Sequence, residues 1–260
     1  MARILITNDD GVSSQGLHAV AIALHNAGHD VLAVAPSGER SGWGAGVGTL
    51  DDGAEFSVEQ FSIPGYEEIA AWGVDGPPAF CVLTAMLETF GEKPELVISG
   101  SNDGANCGRG ILHSGTVGGA MIAQNFGISG IALSQKRTER EMLWNTSGLV
   151  AVAAANWILD APRKTVLNIN IPNETIEEIK GARLARIAAF GTTKTSLTGT
   201  TPGNLQIKVS PRDVKLSPDT DTALVDEGYI TITSLVGYRS ENDQCNGAAA
   251  SIEKCRNLAS

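Results

Sequence analysis

The chain has 260 residues, 42% of them hydrophobic, and a formal net charge of −10. Such a length and apolar content suffice to bury a full core, and the acidic balance argues against a nucleic-acid polymer as partner, because that footprint is basic. Small phosphorylated substrates stay admissible, since a bound divalent cation reverses the local field.

The first apolar run, Ile4-Leu5-Ile6, has strand length and empties into Thr7-Asn8-Asp9-Asp10-Gly11. In an open α/β sheet the ligand crevice lies beyond the carboxyl ends of the strands, so Asp9 and Asp10 are expected at its lip. Neighbouring carboxylates repel, and a shared cation is the usual way to keep both ionised. Gly11 permits a tight turn around a small ion. Ser13 and Ser14 then offer N-caps to a helix whose apolar face is Leu17, Val20, Ala21 and Leu24, ending at Gly28. His18, His25 and His29 fall away from the strand end and are read as solvated or satisfied. Asp30 to Ala35 is the second strand, stopped by Pro36, and the spacing makes a right-handed βαβ unit.

The loop 37–48 is rich in glycine and contains Arg40 and Ser41. It fits no G-x-G-x-x-G frame, and the chain has no G-K-[ST], which disfavours Rossmann dinucleotide binding and a P-loop. The expectation is a mobile loop offering Ser41 as an oxygen ligand and Arg40 as an anion partner. Residues 49–75 read as an excursion of hairpins. Pro77 and Pro78 open a helix, and Glu95 to Ser99 is the third sheet strand. Beyond it, Asn102 and Asn106 stand four apart among glycines and supply neutral oxygens and amide donors, which suit the Mg²⁺ or Mn²⁺ chemistry of the aspartate pair. Asp103 is expected as a solvated charge.

Ser114 is a natural N-cap for a helix beginning His113-Ser114-Gly115-Thr116, whose outward N–H groups and positive dipole end make a phosphate site. The N–H groups of Gly115 and Thr116 are expected to face a cation across the crevice. His113 is a candidate general acid. A fourth strand (Gly130 to Ser134), a long helix (about Arg137 to Leu159) and a fifth strand (Thr165 to Ile171, ended by Pro172) complete the parallel pattern. Beyond it, Ala182 to Phe190, Leu205 to Val209 and Tyr229 to Thr233 alternate apolar and polar and read as antiparallel strands and arms outside the parallel core. The fold class is α/β: a Rossmann-like, mostly parallel sheet with helices on both faces, a hairpin excursion and a C-terminal antiparallel arm. The expected division is a catalytic core, 1–190, and an extension for oligomerisation, 191–260.

No charged-then-apolar leader is visible, and the longest apolar stretch (148–159) is too short and alanine-rich for a bilayer, so a cytoplasmic protein without membrane attachment is expected. Cys81, Cys107, Cys245 and Cys255 lack C-x-x-C spacing, which disfavours a zinc knuckle. Cys245 and Cys255 either pair in a tail or remain the free thiols that a cytosolic protein favours.

In their order along the chain, Thr7-Asn8-Asp9-Asp10-Gly11, Ala35-Pro36 with Arg40-Ser41, Ser99-Gly100-Ser101-Asn102 with Asn106, and Ser114-Gly115-Thr116-Val117 resemble the SurE family of stationary-phase survival nucleotidases. Asn168 to Pro172 and Asp219-Thr220-Asp221 with Gly228 to Thr233 extend the resemblance to the tail. It implies one divalent cation per subunit held by Asp9, Asp10, Ser41 and Asn102. It further implies that Asn106, Ser114, Gly115 and Thr116, with Asn8 beside them, contact phosphate. A swapped arm would build a homodimer or homotetramer. The implied activity is removal of phosphate from nucleoside 5′- and 3′-monophosphates, Asp9 or Asp10 serving as nucleophile or base. Pro77-Pro78-Ala79-Phe80-Cys81 departs from the family's T-P-A-D-C by lacking the carboxylate; 186–190 departs from the usual arginine-bearing segment, and the 37–50 loop is unusually glycine-rich. The rivals are a haloacid-dehalogenase-like phosphatase, disfavoured because its aspartates are spaced D-x-D, a phosphatase of another small phosphoester, and a non-catalytic metal- and nucleotide-binding sensor.

Overall fold

Residues 1–191, 193–201, 204–211 and 215–237 are described by a computed structural model. The apolar runs become strands: β1 (Arg3–Thr7), β2 (Asp30–Pro36), β3 (Val58–Phe61), β4 (Ala70–Val74), β5 (Leu96–Asp103), β6 (Ser129–Gln135) and β7 (Val166–Ile171). They lie in one nine-stranded sheet of order β3-β4-β2-β1-β5-β6-β7, which continues through β11 (Ile230–Leu235) to β8 (Ala182–Leu184). Strands β4, β2, β1, β5, β6 and β7 run parallel. Most of their residues are buried, as strands covered on both faces require.

Alternation along β1 assigns the two layers. Ile4 and Ile6 join the cluster under α1 (Gln15–Asn26) and α4 (Trp144–Leu159), where Leu17, Val20, Leu24, Ala151, Ala155 and Ile158 are buried. Leu5, between them, faces the opposite layer with Phe80, Val82 and Met86 of α2 (Pro78–Met86), beside which α3 (Gly115–Met121) packs. The mostly parallel sheet with helices on both faces is the expected fold class, and a separate antiparallel pair, β9 (Thr193–Thr201) with β10 (Asn204–Pro211), stands apart from it.

The excursion contains the expected hairpin, β3 pairing antiparallel with β4, and β4 joins it to the sheet by pairing parallel with β2. Three readings are corrected. The segment from Ala182 is not an antiparallel strand, because β8 pairs parallel with β11. Tyr229–Thr233 is not an outlying arm either, because β11 pairs antiparallel with β7 and covers an edge that would otherwise be open. The long helix starts at Trp144, not near Arg137. Residues 137–143 stay irregular, with a bend at 139–140, because Asn173 gathers them: its Nδ2 donates to the carbonyls of Arg140 and Glu141, and its Oδ1 accepts the Leu143 N–H.

Order reverses between β1 and β5, since the chain lays β2 and β4 on one side and β6 and β7 on the other. That is the switch point where open sheets form a crevice. Thr7 and Ser99 are paired in register there, so the loops after both strands leave side by side. Cys81 and Cys107 are buried free thiols; Cys245 and Cys255 lie outside the described residues. Among the described residues no helix is long and apolar enough to cross a membrane.

Candidate active site

Local hydrogen bonding turns the end of β1 outward. Asn8 is buried; its Nδ2 donates to Gly11 O (3.1 Å) and Ser14 Oγ (2.6 Å), and its Oδ1 accepts the Gly11 N–H (3.1 Å). Gly11 completes the turn at φ +103°, a region that favours glycine. Asn8 thus shapes the loop, and its side chain is engaged there instead of lining the crevice.

Helix α3 meets Asp9 with its amino end. Ser114 caps the helix by accepting the Val117 N–H (3.1 Å), as the sequence suggested. The Thr116 hydroxyl donates to Asp9 Oδ1 at 2.6 Å, and the backbone N–H groups of Gly115 and Thr116 at the helix end favour the charged form of this carboxylate. A Cβ at Gly115 would lie 2.8 Å from Asp9 Cβ, so only glycine admits this approach. The donors expected to face a cation and phosphate are therefore turned to Asp9, a carboxylate at the positive end of the helix.

The end of β5 supplies the facing wall. Asn102 Nδ2 donates to Gly104 O (2.7 Å), and the Asp103 N–H reaches Asp10 Oδ2 (3.3 Å). Asp103 is not a plain solvated charge: Arg137 grips both its oxygens, at 2.9 and 2.7 Å. Asn106 is held from all sides. Its Nδ2 donates to Ser134 Oγ (2.8 Å) and Thr116 Oγ1 (3.4 Å), its N–H to Asn170 Oδ1 (2.7 Å), and its carbonyl accepts from Asn168 (2.9 Å) and Asn170 (3.0 Å). The two asparagines of β7 thus clamp the loop after β5.

The glycine-rich loop is docked. The Gly44 N–H reaches His113 O (3.2 Å), and a Cβ at Gly118 would stand 2.1 Å from Gly44 O, so loop and helix touch backbone to backbone. Arg40 pairs with Asp75 at 2.7 Å, which removes it as a free anion partner. Ser41 Oγ donates to Glu39 Oε1 at 2.9 Å.

These loops enclose a cavity of about 370 Å³ lined by Asp9, Asp10, Ser41, Asn102, Asn106, His113 and Ser114, with Glu39, Asp103 and Arg137 beside them. Burial, opposed by the Thr116 hydrogen bond, holds the Asp9 carboxyl above its ordinary range. Burial first, then the charge of Asp9, pushes Asp10 up to about 6. A divalent cation fits this set: it would relieve the two raised carboxylates, and the hydroxyl and amide oxygens are hard donors. The set is two carboxylates plus neutral oxygens; among the described residues no group of three or more His, Cys, Asp or Glu side chains forms a metal cluster. The sequence alone does not mark Glu39 or Arg137 as site residues: Glu39 lies in the glycine-rich loop already singled out, whereas Arg137 follows β6 at a position read as the start of the long helix.

A family model described as Survival protein SurE matches residues 4–194. The 5′-nucleotidase SurE of Gloeobacter violaceus is 35% identical over 90% of this chain and 89% of that protein. The 5′/3′-nucleotidase SurE of Cronobacter sakazakii is 34% identical over 90% and 89%. The crystal structure of the SurE protein from Aquifex aeolicus superposes with a TM-score of 0.75 at 30% identity, covering 96% of this chain and 99% of that one.

Proposed function

The chain belongs to the SurE family, and from that premise we propose that it is a divalent-metal-dependent phosphomonoesterase releasing phosphate from nucleoside 5′- and 3′-monophosphates. The observation that carries the reading is one cavity at the β1/β5 switch point that gathers Asp9, Asp10, Ser41 and Asn102 as oxygen donors, with Asn106 and Ser114 beside them. Asp9, Asp10, Ser41 and Asn102 would hold one Mg²⁺ or Mn²⁺, which when bound supplies Lewis-acid polarisation of a phosphoryl oxygen.

The chain's own residues do the rest. Thr116 and the α3 N–H groups set the Asp9 carboxylate so that it enters the reaction without reorganising. Asn106, its backbone carbonyl clamped by Asn168 and Asn170 and its Nδ2 anchored on Ser134 Oγ, would offer the second hydrogen of Nδ2 to an equatorial phosphoryl oxygen in place of the long 3.4 Å contact with Thr116 Oγ1. Gly115, packed on Asp9, lets the helix end come near. His113 lines the same cavity and would protonate the leaving alkoxide. Phe80, where the family carries a carboxylate, is buried in α2 and stacks near Phe56 with ring centroids 4.4 Å apart, away from the cavity lining, so it gives no support to a non-catalytic sensor.

The extension 191–260 is proposed as the assembly element of a homodimer or homotetramer, working with residence in the cytoplasm, where nucleoside monophosphates arise. Exposed Leu197, Leu205, Ile207 and Val209 on the β9–β10 pair support this.

Phosphate release from nucleoside 5′- and 3′-monophosphates, before and after EDTA treatment and in Asp9→Asn and Asp10→Asn, tests the function. Cation-restored turnover that is abolished in both folded variants is expected. Full turnover in thoroughly chelated protein would overturn it.

A further inference from the structure

We propose that a second cavity, adjoining the first through Asn106 and His113, is the subsite for the nucleoside of the substrate, with the base seated on the ring of Phe190. This assignment rests on the nucleotidase reading above. The cavity holds about 550 Å³ and is lined also by Arg109 and by Thr193 and Thr195 of β9. That volume lies in the range of small-molecule pockets.

A third cavity, of about 440 Å³, touches the site from the opposite side, and the residues each shares with the first decide between them. Asp10, Glu39, Asp103 and Glu141 line it. Arg137 and the indole of Trp144 line it too, but it meets the first cavity only through Asp10, Glu39, Asp103 and Arg137, and includes neither Asn106 nor His113. The cavity at Phe190 has no carboxylate in its lining. It offers one cation, Arg109, which makes no ion pair with a described residue, and a half-exposed aromatic ring at 44%. Aromatic stacking is tolerant of base identity, because every base has a π-face. It also shares Asn106 and His113, the residues read above as touching phosphate and leaving group, so a ligand spanning both cavities presents its ester bond to them.

The wall bearing Phe190 is built in advance. Asp221 is fully buried, and its carboxylate accepts the Gly108 N–H (2.9 Å) and the Ala188 N–H (2.9 Å), which ties the two sides of the cavity together. Thr222 Oγ1 donates to Phe190 O at 3.1 Å. Gly108, at φ +63°, approaches so closely that a Cβ would lie 2.4 Å from the Phe190 carbonyl carbon. With the backbone under Phe190 held in advance, only the side-chain rotamer remains to be ordered on binding.

The test compares kcat/KM for a nucleoside 5′-monophosphate and for glycerol 2-phosphate, which has no base, in wild type, Phe190→Ala, Phe190→Leu, Phe190→Tyr and Glu141→Ala. Both non-aromatic variants are expected to lower the nucleotide-to-glycerol-phosphate ratio about tenfold or more, mainly through KM, as loss of a stacking ring does. Phe190→Tyr should retain the ratio, and Glu141→Ala should hold it within about twofold. An unchanged ratio in Phe190→Leu, or the loss appearing in Glu141→Ala instead, overturns the assignment while leaving the phosphatase reading intact. If wild type hydrolyses neither ester, the phosphatase reading falls and calorimetric titration with the nucleoside monophosphate plus Mn²⁺ decides the subsite. Affinity weakened about tenfold in Phe190→Leu supports it; equal affinity, or no binding by wild type, overturns it.

Discussion

Thr116 Oγ1 donates to Asp9 Oδ1 at 2.6 Å, joining the amino end of α3 to the loop after β1 across 107 positions of sequence. This bond decides how the acidic site is held. A buried carboxylate without partners would rotate or protonate, whereas here the Thr116 hydroxyl orients it and the N–H groups at the helix end favour its charge. Thr116 is accordingly a positioning residue for Asp9.

Thr116→Val keeps the shape of the side chain and removes the donor. A hydrogen bond to a charged group contributes about 1.5–3 kcal/mol, so kcat/KM and the apparent affinity for Mn²⁺ are expected to fall roughly tenfold or more. Thr116→Ser should restore both, because the hydroxyl returns. Steady-state kinetics and metal titration on the two variants check this, and wild-type values in Thr116→Val would remove Thr116 from the chemistry.

Stability of the metal-free protein should depend on pH through Asp10. Its carboxyl is pushed up to about 6, by burial and then by the Asp9 charge, and Asp9 is raised as well. A raised pKa means that the folded state favours the protonated form. The contribution is fully present below the unfolded value of about 4 and is lost as pH rises through about 6. In chelated samples the Tm of Asp10→Asn relative to wild type is therefore expected to climb between pH 4 and pH 7, and saturating Mg²⁺ or Mn²⁺ should erase that gain. Calorimetric scans that show a constant Tm difference across this range would contradict it.

Gly118→Ala sets two effects against each other. Alanine favours a helix over glycine by about 1 kcal/mol. Against that, the new Cβ would lie 2.1 Å from Gly44 O, a backbone atom that moves only with its loop. Overpacking of this kind costs about 1–3 kcal/mol and should win. Chemical denaturation is expected to show a less stable protein, while Gly38→Ala, in the same loop with nothing within 4 Å of the new Cβ, should be near neutral. Equal stabilities for the two variants would mean that the loop is not seated on α3.

The β9–β10 pair presents Leu197, Leu205, Ile207 and Val209 to solvent. An isolated two-stranded pair with exposed apolar side chains is marginal unless it is covered. Light scattering should give a dimer or tetramer for the full chain, and a lower mass once 193–211 is replaced by a short Gly-Ser linker. A monomer for the full chain at micromolar concentration would count decisively against the arm as an assembly element.

The parallel core was legible because its strands announce themselves locally. Ile4-Leu5-Ile6 and Leu96-Val97-Ile98 are apolar runs that only a sheet covered on both faces buries. Strand β11 was misplaced for the converse reason: Ile230-Thr231-Ile232-Thr233 alternates like a half-exposed antiparallel strand, yet Thr231 is fully buried beside β7. The start of α4 was misjudged because 137–143 is kept out of the helix by Asn173, a residue far along the chain.

The sequence by itself determined which residue types stand at strand ends, and hence Asp9, Asp10, Asn102, Asn106 and Ser114 as members of one crevice; strand direction and the carboxyl-end rule are local and directional enough for that. Only the tertiary structure decided what each member touches. That the Thr116 hydroxyl meets Asp9, that Arg137 grips Asp103, and that Arg40 turns to Asp75 are contacts across sheet neighbours and packed loops. No spacing in the chain encodes them, because the donors and acceptors are chosen by which elements the switch point brings side by side.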